Sequence, residues 1–271
     1  MLIANCRVPF SQCDNPDPTW NQQNTRNHGL QHQAPGAPCA QHRTKSIQGS
    51  CYLFCRSRTT TNRETSQIAM ALEALKIPYH VKLWQFGDAA NGLKGPQFTK
   101  INPNGRVPAL EDPNTGIVSW ESMACMNYIL RNYDSSNSLG PADNEKARVD
   151  YDIWTAFLLS TIGPMMGQVN WFRHYHQPKN EDALKRYEAQ AYHTYDVLEG
   201  QLKASGGKFV LVGERCTAVD YHVYSWLYQH GFAQLGLEKY PNIKKWLDGF
   251  AQRPEVKKAY EKVPAGEEVK A

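Results

Sequence analysis

A proline inside an apolar run, Arg106-Val107-Pro108-Ala109-Leu110, and an acid-hydroxyl pair thirteen residues beyond it, Glu121-Ser122, are the residues whose types and spacing bear most directly on chemistry. Proline has no N–H to give a strand ladder, so inside a strand it needs a special reason. A cis Val107-Pro108 bond would present the peptide groups of Val107 at a sheet edge, where its N–H and C=O can pair with an extended peptide ligand. A simple strand-entry proline is the alternative. Glu121 and Ser122 open a helix-patterned stretch; the free N–H groups of a helix start attract a carboxylate, and a side-chain carboxylate can hold an ammonium. One end of the ligand would then be an α-amino acid. Read alone, the pair describes an ordinary helix start in which Ser122 caps and Glu121 favours the dipole.

A second group lies in IGPMMGQVNWFRHYH, residues 162–176. Gly163-Pro164 predicts a kink in a long helix, and Gly167 would let neighbours approach. This leaves Gln168, Trp171, Phe172, Arg173 and Tyr175 near a cleft, with the aromatics lining a pocket and Arg173 as a ligand candidate. Core packing by Met165, Met166, Trp171 and Phe172 is the competing reading. His174 and His176 have no Cys, Asp or further His at a supporting spacing, so no metal is expected.

The elements that must position these groups follow from hydrophobic period. CYLFC at residues 51–55 is a short strand, and Ile68, Ala71, Leu72 and Leu75 mark one helix face. YHVKLW is a second strand with Tyr79, Val81 and Leu83 on one side, GIVSW another, and residues 121–133 a helix with Met123, Met126, Leu130 and Tyr133 aligned. The order is βαβ, then ββα, over residues 50–135. The polar stretch DSSNSLGPA, residues 134–142, is a linker. Beyond it, over residues 143–262, three helical stripes appear: Val149, Ile153, Phe157 and Leu158; then Leu184, Tyr187, Ala191, Tyr195, Leu198 and Leu202; then Ile243, Trp246, Leu247 and Phe250. Thr217 and Asp220 in TAVDY have the spacing of a reciprocal N-terminal cap.

Composition bounds the rest. With 271 residues, 41% hydrophobic, the chain can build a proper core without staples. A net charge of +4 with no basic block argues against nucleic acid. No run approaches the roughly 18 apolar residues of a spanning helix, nor is there a signal-peptide core, so no membrane partner and a cytoplasmic location are expected. Seven cysteines, odd in number and without a CxxC pair, read as mostly reduced thiols. Residues 1–46 are rich in Asn, Gln, Pro and His, with Arg7, Arg26, Arg43 and Lys45 against Asp14 and Asp17, and are expected to be a disordered tail.

INPNGRVPAL and WESMACMNYIL, with Pro108 and Glu121-Ser122 at this spacing, resemble the glutathione-binding half of the glutathione transferase family. TAVDY resembles that family's helical half. IGPMMGQVNWFRHYH is similar to the branch that holds a fungal nitrogen-regulator prion protein and bacterial disulfide-reducing transferases. The resemblance implies an α/β thioredoxin-like domain followed by an all-α domain, glutathione as co-substrate, and a homodimer. In the family, the residue matching Val107 pairs with the cysteinyl part of glutathione, and those matching Glu121 and Ser122 hold its γ-glutamyl end.

Catalysis in such a protein requires a hydrogen-bond donor near the glutathione sulfur, lowering the thiol pKa. The branch carries a Pro-Asn-Gly-like turn after its first strand; here the turn, residues 56–66, is about three residues longer and lacks that motif. The candidates are Thr59, Thr60, Thr61 and, favoured by its place before the helix, Asn62. Cys55 is a further option, which would suit thiol transfer, although Cys51 and Cys55 share a strand face as buried cysteines do. For the glycyl carboxylate the candidates are Lys94, with Asn91 as a weaker choice, and Arg106. The expected activity is conjugation of glutathione to a hydrophobic electrophile, in detoxification or secondary-metabolite biosynthesis. The alternatives are glutathione-dependent disulfide or peroxide reduction, and a non-catalytic glutathione-binding regulator.

Overall fold

The structure is a computed structural model that describes residues 49–56, 65–213 and 215–270. The expected tail at 1–46 and the turn candidates Thr59, Thr60, Thr61 and Asn62 lie outside the described residues.

Strand β1 (Cys51–Arg56), helix α1 (Ser66–Ala74) and strand β2 (Tyr79–Trp84) form a parallel βαβ unit, with Cys51 opposite Tyr79 and Arg56 opposite Trp84. Strand β3 (Ala109–Asp112) runs antiparallel to β1, strand β4 (Ile117–Trp120) antiparallel to β3, and helix α2 (Ser122–Tyr133) follows. The pleat sends alternate residues of β1 to opposite faces. Cys51, Leu53 and Cys55 enter the main core with α1 and α2, whereas Phe54 packs with Trp84, Leu93, Phe98 and Ala109 on the other side. Both faces of the sheet are therefore covered.

Helix α1 shows more than one buried face. Every residue from Ser66 to Leu72 is buried, because the sheet covers one side while helices α6 (Ala218–Leu227) and α8 (Pro254–Lys262) pack on the other. Lys262 Nζ sits 3.6 Å from the centre of the Tyr79 ring and 3.7 Å from Glu73 Oε1, tying α8 to the α/β half.

The stretch after α2 is ordered by Asp134, whose carboxylate accepts from the N–H of Ser138 at 2.7 Å and of Leu139 at 2.8 Å. Helix α3 (Glu145–Phe157) then runs through a π-helical turn at Leu158–Ile162 into helix α4 (Gly163–Asn170) and a second such turn at Trp171–Tyr175. The interruption predicted at Gly163-Pro164 is thus a widened turn immediately before proline, which lacks the N–H to continue the regular ladder. Gly163 is needed for packing as well, since a Cβ there would stand 3.0 Å from Trp226 Cε2.

Helices α5 (Glu181–Ala204) and α7 (Pro241–Phe250) bury their predicted stripes: Ala191, Tyr195, Leu198 and Leu202 on α5, and Ile243, Trp246, Leu247 and Phe250 on α7. The stripe read on α3 requires correction. Val149 and Ile153 are 46% and 55% exposed, and the inward face carries Tyr151 and Trp154 instead. Two apolar faces compete on that helix, and the larger aromatic area goes to the core. At α6 the expected cap forms: Asp220 accepts from Thr217 N at 2.8 Å and also from Val210 N at 2.7 Å.

One element is absent from the sequence reading. Residues Glu267–Glu268 form strand β5, parallel to β2, giving the sheet order β4-β3-β1-β2-β5.

Candidate functional site

The Val107-Pro108 bond is cis. Ala109 is the first residue of β3 to pair, opposite Phe54 and Trp120, so Val107 lies just outside the ladder. Among the described residues its N–H and C=O make no hydrogen bond. The turn that leads into it is shaped by Asn102, only 1% exposed, which donates to the Arg106 carbonyl at 2.6 Å and accepts from Asn104 N at 2.9 Å. Gly105 adopts φ +60, and a Cβ there would stand 2.7 Å from both the Leu93 carbonyl and Lys94 Cδ. Only glycine fits that crossing.

Glu121 is the N-cap residue of α2 and has φ +68 and ψ 130, a conformation side-chain-bearing residues rarely adopt. No side chain caps this helix, so the N–H groups of its first turn remain open to a ligand, whereas Asn144 and Asn180 cap α3 and α5. Ser122 is half-buried at the first helical position. The strained residue and the uncapped helix start stand side by side, an arrangement whose chemistry suits a charged group.

The structure joins these groups through a residue the sequence reading left out. Asn104 accepts from Lys94 Nζ at its carbonyl, 2.7 Å, and donates from its side chain to Glu121 Oε1, 3.2 Å. Lys94, Arg106, Val107 and Glu121 are therefore gathered around one turn, with Arg106 exposed. The signal was in the Asn-Pro-Asn-Gly string, whose polar side chains bond locally in turns. Asn91, the weaker choice for the carboxylate, instead donates to the Val269 carbonyl at 3.2 Å.

The residues of the 168–175 segment form a separate group. Gln168, Trp171 and Tyr175 are exposed, and the Trp171 and Tyr175 rings lie 6.1 Å apart. Phe172 stacks on Tyr187 at 5.5 Å, so it packs against α5. The Arg173 guanidinium pairs with Glu188 and donates to Gln234 Oε1 at 2.9 Å; its charge is answered within the protein. His174 bonds the Phe232 carbonyl at 2.7 Å and stacks on that residue's ring. The exposed faces available to a ligand are thus those of Gln168, Trp171 and Tyr175.

Cys55 is fully buried, and desolvation pushes its thiol far above the ordinary range. Burial, with the nearby Asp112 carboxylate adding to it, pushes the Cys51 thiol up to about 12. Neither thiol is poised to ionise at neutral pH. Asp112, the buried last residue of β3, accepts from the Tyr128 hydroxyl at 2.5 Å, from the Tyr133 hydroxyl and from Asn114. Asn114 in turn exchanges bonds with Gly49, fixing the chain as it enters β1.

Comparison with known proteins places both halves of the chain. Residues 60–131 match the glutathione S-transferase N-terminal domain and residues 162–254 the glutathione S-transferase C-terminal domain. The glutathione S-transferase-like protein tpcF of Aspergillus fumigatus is 33% identical over 206 residues, covering 71% of this chain and 88% of that protein. The protein URE2 of Kluyveromyces marxianus is 27% identical over 228 residues, covering 71% of this chain and 55% of that protein. The crystal structure of the glutathione transferase URE2P8 from Phanerochaete chrysosporium with oxidized glutathione superposes with a TM-score of 0.70 at 30% identity, covering 83% of this chain and 98% of that one. A thioredoxin-like α/β half followed by a helical half accords with these matches: the chain belongs to the glutathione S-transferase family.

Proposed function

We propose that the protein binds glutathione and transfers its thiolate to an electrophilic small molecule, in detoxification or secondary-metabolite formation. The observation that carries this reading is the pairing of unengaged peptide groups at Val107 with the uncapped start of α2 beside the Glu121 carboxylate. Val107 holds the cysteinyl residue by backbone pairing, Glu121 takes the α-ammonium, and Ser122 with the open N–H groups takes the α-carboxylate. Lys94 or Arg106 meets the glycyl carboxylate. In the reaction the thiol proton goes to solvent, the sulfur lone pair forms the new bond to carbon, and the electrophile's leaving group departs with its electron pair. Asn62, Thr61 or Thr60 is the proposed donor to the sulfur, and Trp171 with Tyr175 the proposed platform for the electrophile, flanked by Gln168, Phe172 and Arg173.

Retention on immobilised glutathione tests this directly. Wild-type protein should be retained and eluted by free glutathione, and Glu121→Ala should lose most of that retention. Equal retention of the two would remove Glu121 from the site.

The likeness to URE2 favours a second reading, a regulator that binds glutathione without turnover. That reading prevails if glutathione binds but a panel of electrophiles, peroxides and disulfides gives no reaction. The disulfide-reductase alternative loses support at Cys55, whose thiol is enclosed in the core.

For the outward Val149 and Ile153 we propose a second copy of the chain as the cover, giving a homodimer. A monomer mass in light scattering at micromolar concentration would refute it.

A further inference from the structure

Strand β5 closes an edge of the sheet that would otherwise be open. It pairs Glu267 with Lys82 and Glu268 with Leu83, and Val269 N donates to the Leu83 carbonyl at 2.9 Å. Gly266 lies directly on β2, where a Cβ would stand 2.5 Å from Val81 Cγ1. Val269 then packs against the cluster of Trp84, Leu93 and Phe98, and its carbonyl accepts from Asn91.

Asn91 belongs to the loop that carries Lys94. Its carbonyl accepts from Gln85 N at 2.9 Å, Leu93 N donates to the Gln85 carbonyl at 2.9 Å, and Lys94 N donates to the Gly87 carbonyl at 2.8 Å. The loop is folded tightly on its own backbone, for a Cβ on Gly95 would stand 2.0 Å from the Ala89 carbonyl. It is therefore one compact unit, held from outside by Val269 at one end and by the Lys94–Asn104 bond at the other. Asn104 is itself held by Asn102, which accepts from its N–H at 2.9 Å, independently of the loop.

We infer that residues Gly266–Val269, seated on β2, act as a positioning element for the glutathione site, fixing the loop at 85–95 so that Lys94 meets the ligand's glycyl carboxylate. This rests on the reading given under Proposed function. Without the strand, Asn91 loses its acceptor and Leu93 loses part of its cover, so the loop gains conformers that a ligand must select against. The γ-glutamyl end, held at Glu121, is untouched.

The experiment compares the full chain with a version ending at Ala265, with Gly266→Val and with Asn91→Ala, titrating each with glutathione and with γ-glutamylcysteine, which lacks the glycyl carboxylate. Expected for all three is a rise in the glutathione dissociation constant of about tenfold, the loss of roughly one charge-assisted hydrogen bond, and little change for γ-glutamylcysteine. With a model electrophile, KM for glutathione should rise while kcat stays within about twofold. Equal losses for both peptides would show general damage and overturn the inference, as would unchanged glutathione affinity. If the shortened chain does not fold, Asn91→Ala, which removes one side-chain bond, decides between those outcomes. Failure of the full chain itself to bind glutathione overturns the functional reading, and this inference with it.

Discussion

Asn104 donates its side-chain amide to Glu121 Oε1 across the gap between the turn before Pro108 and the start of α2. The bond fixes the carboxylate of a residue whose backbone is itself held at φ +68. A side-chain-bearing residue in such a conformation costs on the order of 1–3 kcal/mol and persists only where its surroundings hold it.

Glu121→Gly should therefore separate binding from stability. The strain at this backbone is on the order of 1–3 kcal/mol, and glycine's extra freedom in the unfolded chain gives back about 0.4–1 kcal/mol. The thermal midpoint should hold or rise by about 3 °C while glutathione retention is lost. A lower midpoint with retention intact would refute both the strain and the role.

Cys55→Ser probes the reductase alternative. A serine hydroxyl at this buried position should lower stability by about 1–3 kcal/mol, read from urea unfolding. Any reduction of a small mixed disulfide should continue at the wild-type rate. A specific loss of that activity in folded protein would make Cys55 the nucleophile.

Two buried carboxyls tilt stability in opposite directions with pH. At Asp112 burial works to raise the pKa, but bonds from Tyr128, Tyr133 and Asn114 outweigh it and hold the group below its ordinary 3.8. Its contribution is complete above about pH 4 and is lost as pH falls through the depressed value. At Asp220 burial prevails over the bonds from Thr217 and Val210 and pushes the carboxyl up to about 6. That contribution is complete below about pH 4 and is lost as pH rises through about 6. Thermal midpoints across pH should show a smaller loss below about pH 4 in Tyr133→Phe, and the decline near pH 6 absent in Asp220→Asn. Profiles parallel to wild type in both variants would contradict these assignments.

The local backbone of the candidate site was largely legible before the fold was known, because its signals are local. A proline at residue 108, an acid-hydroxyl pair at a helix start and an Asn-Gly turn each constrain their own backbone. Asn104 was passed over because its role depends on two partners, Lys94 and Glu121, that meet only when the turn crosses both. The candidates for the thiol-activating position, Thr59, Thr60, Thr61 and Asn62, lie outside the described residues, where the sequence also departs from its branch.

Residue order alone was enough for the βαβ–ββα sequence of the first half and the cap at Thr217 and Asp220, since periodicity and capping act over a few residues. Tertiary structure decided what depends on distant partners. It buried α1 on every side, turned Val149 and Ile153 outward in favour of Tyr151 and Trp154, and gave Arg173 to Glu188. It also brought Val269 to Asn91 across 178 residues. A hydropathy pattern records which residues can be buried, but several faces qualify at once, and only packing selects among them.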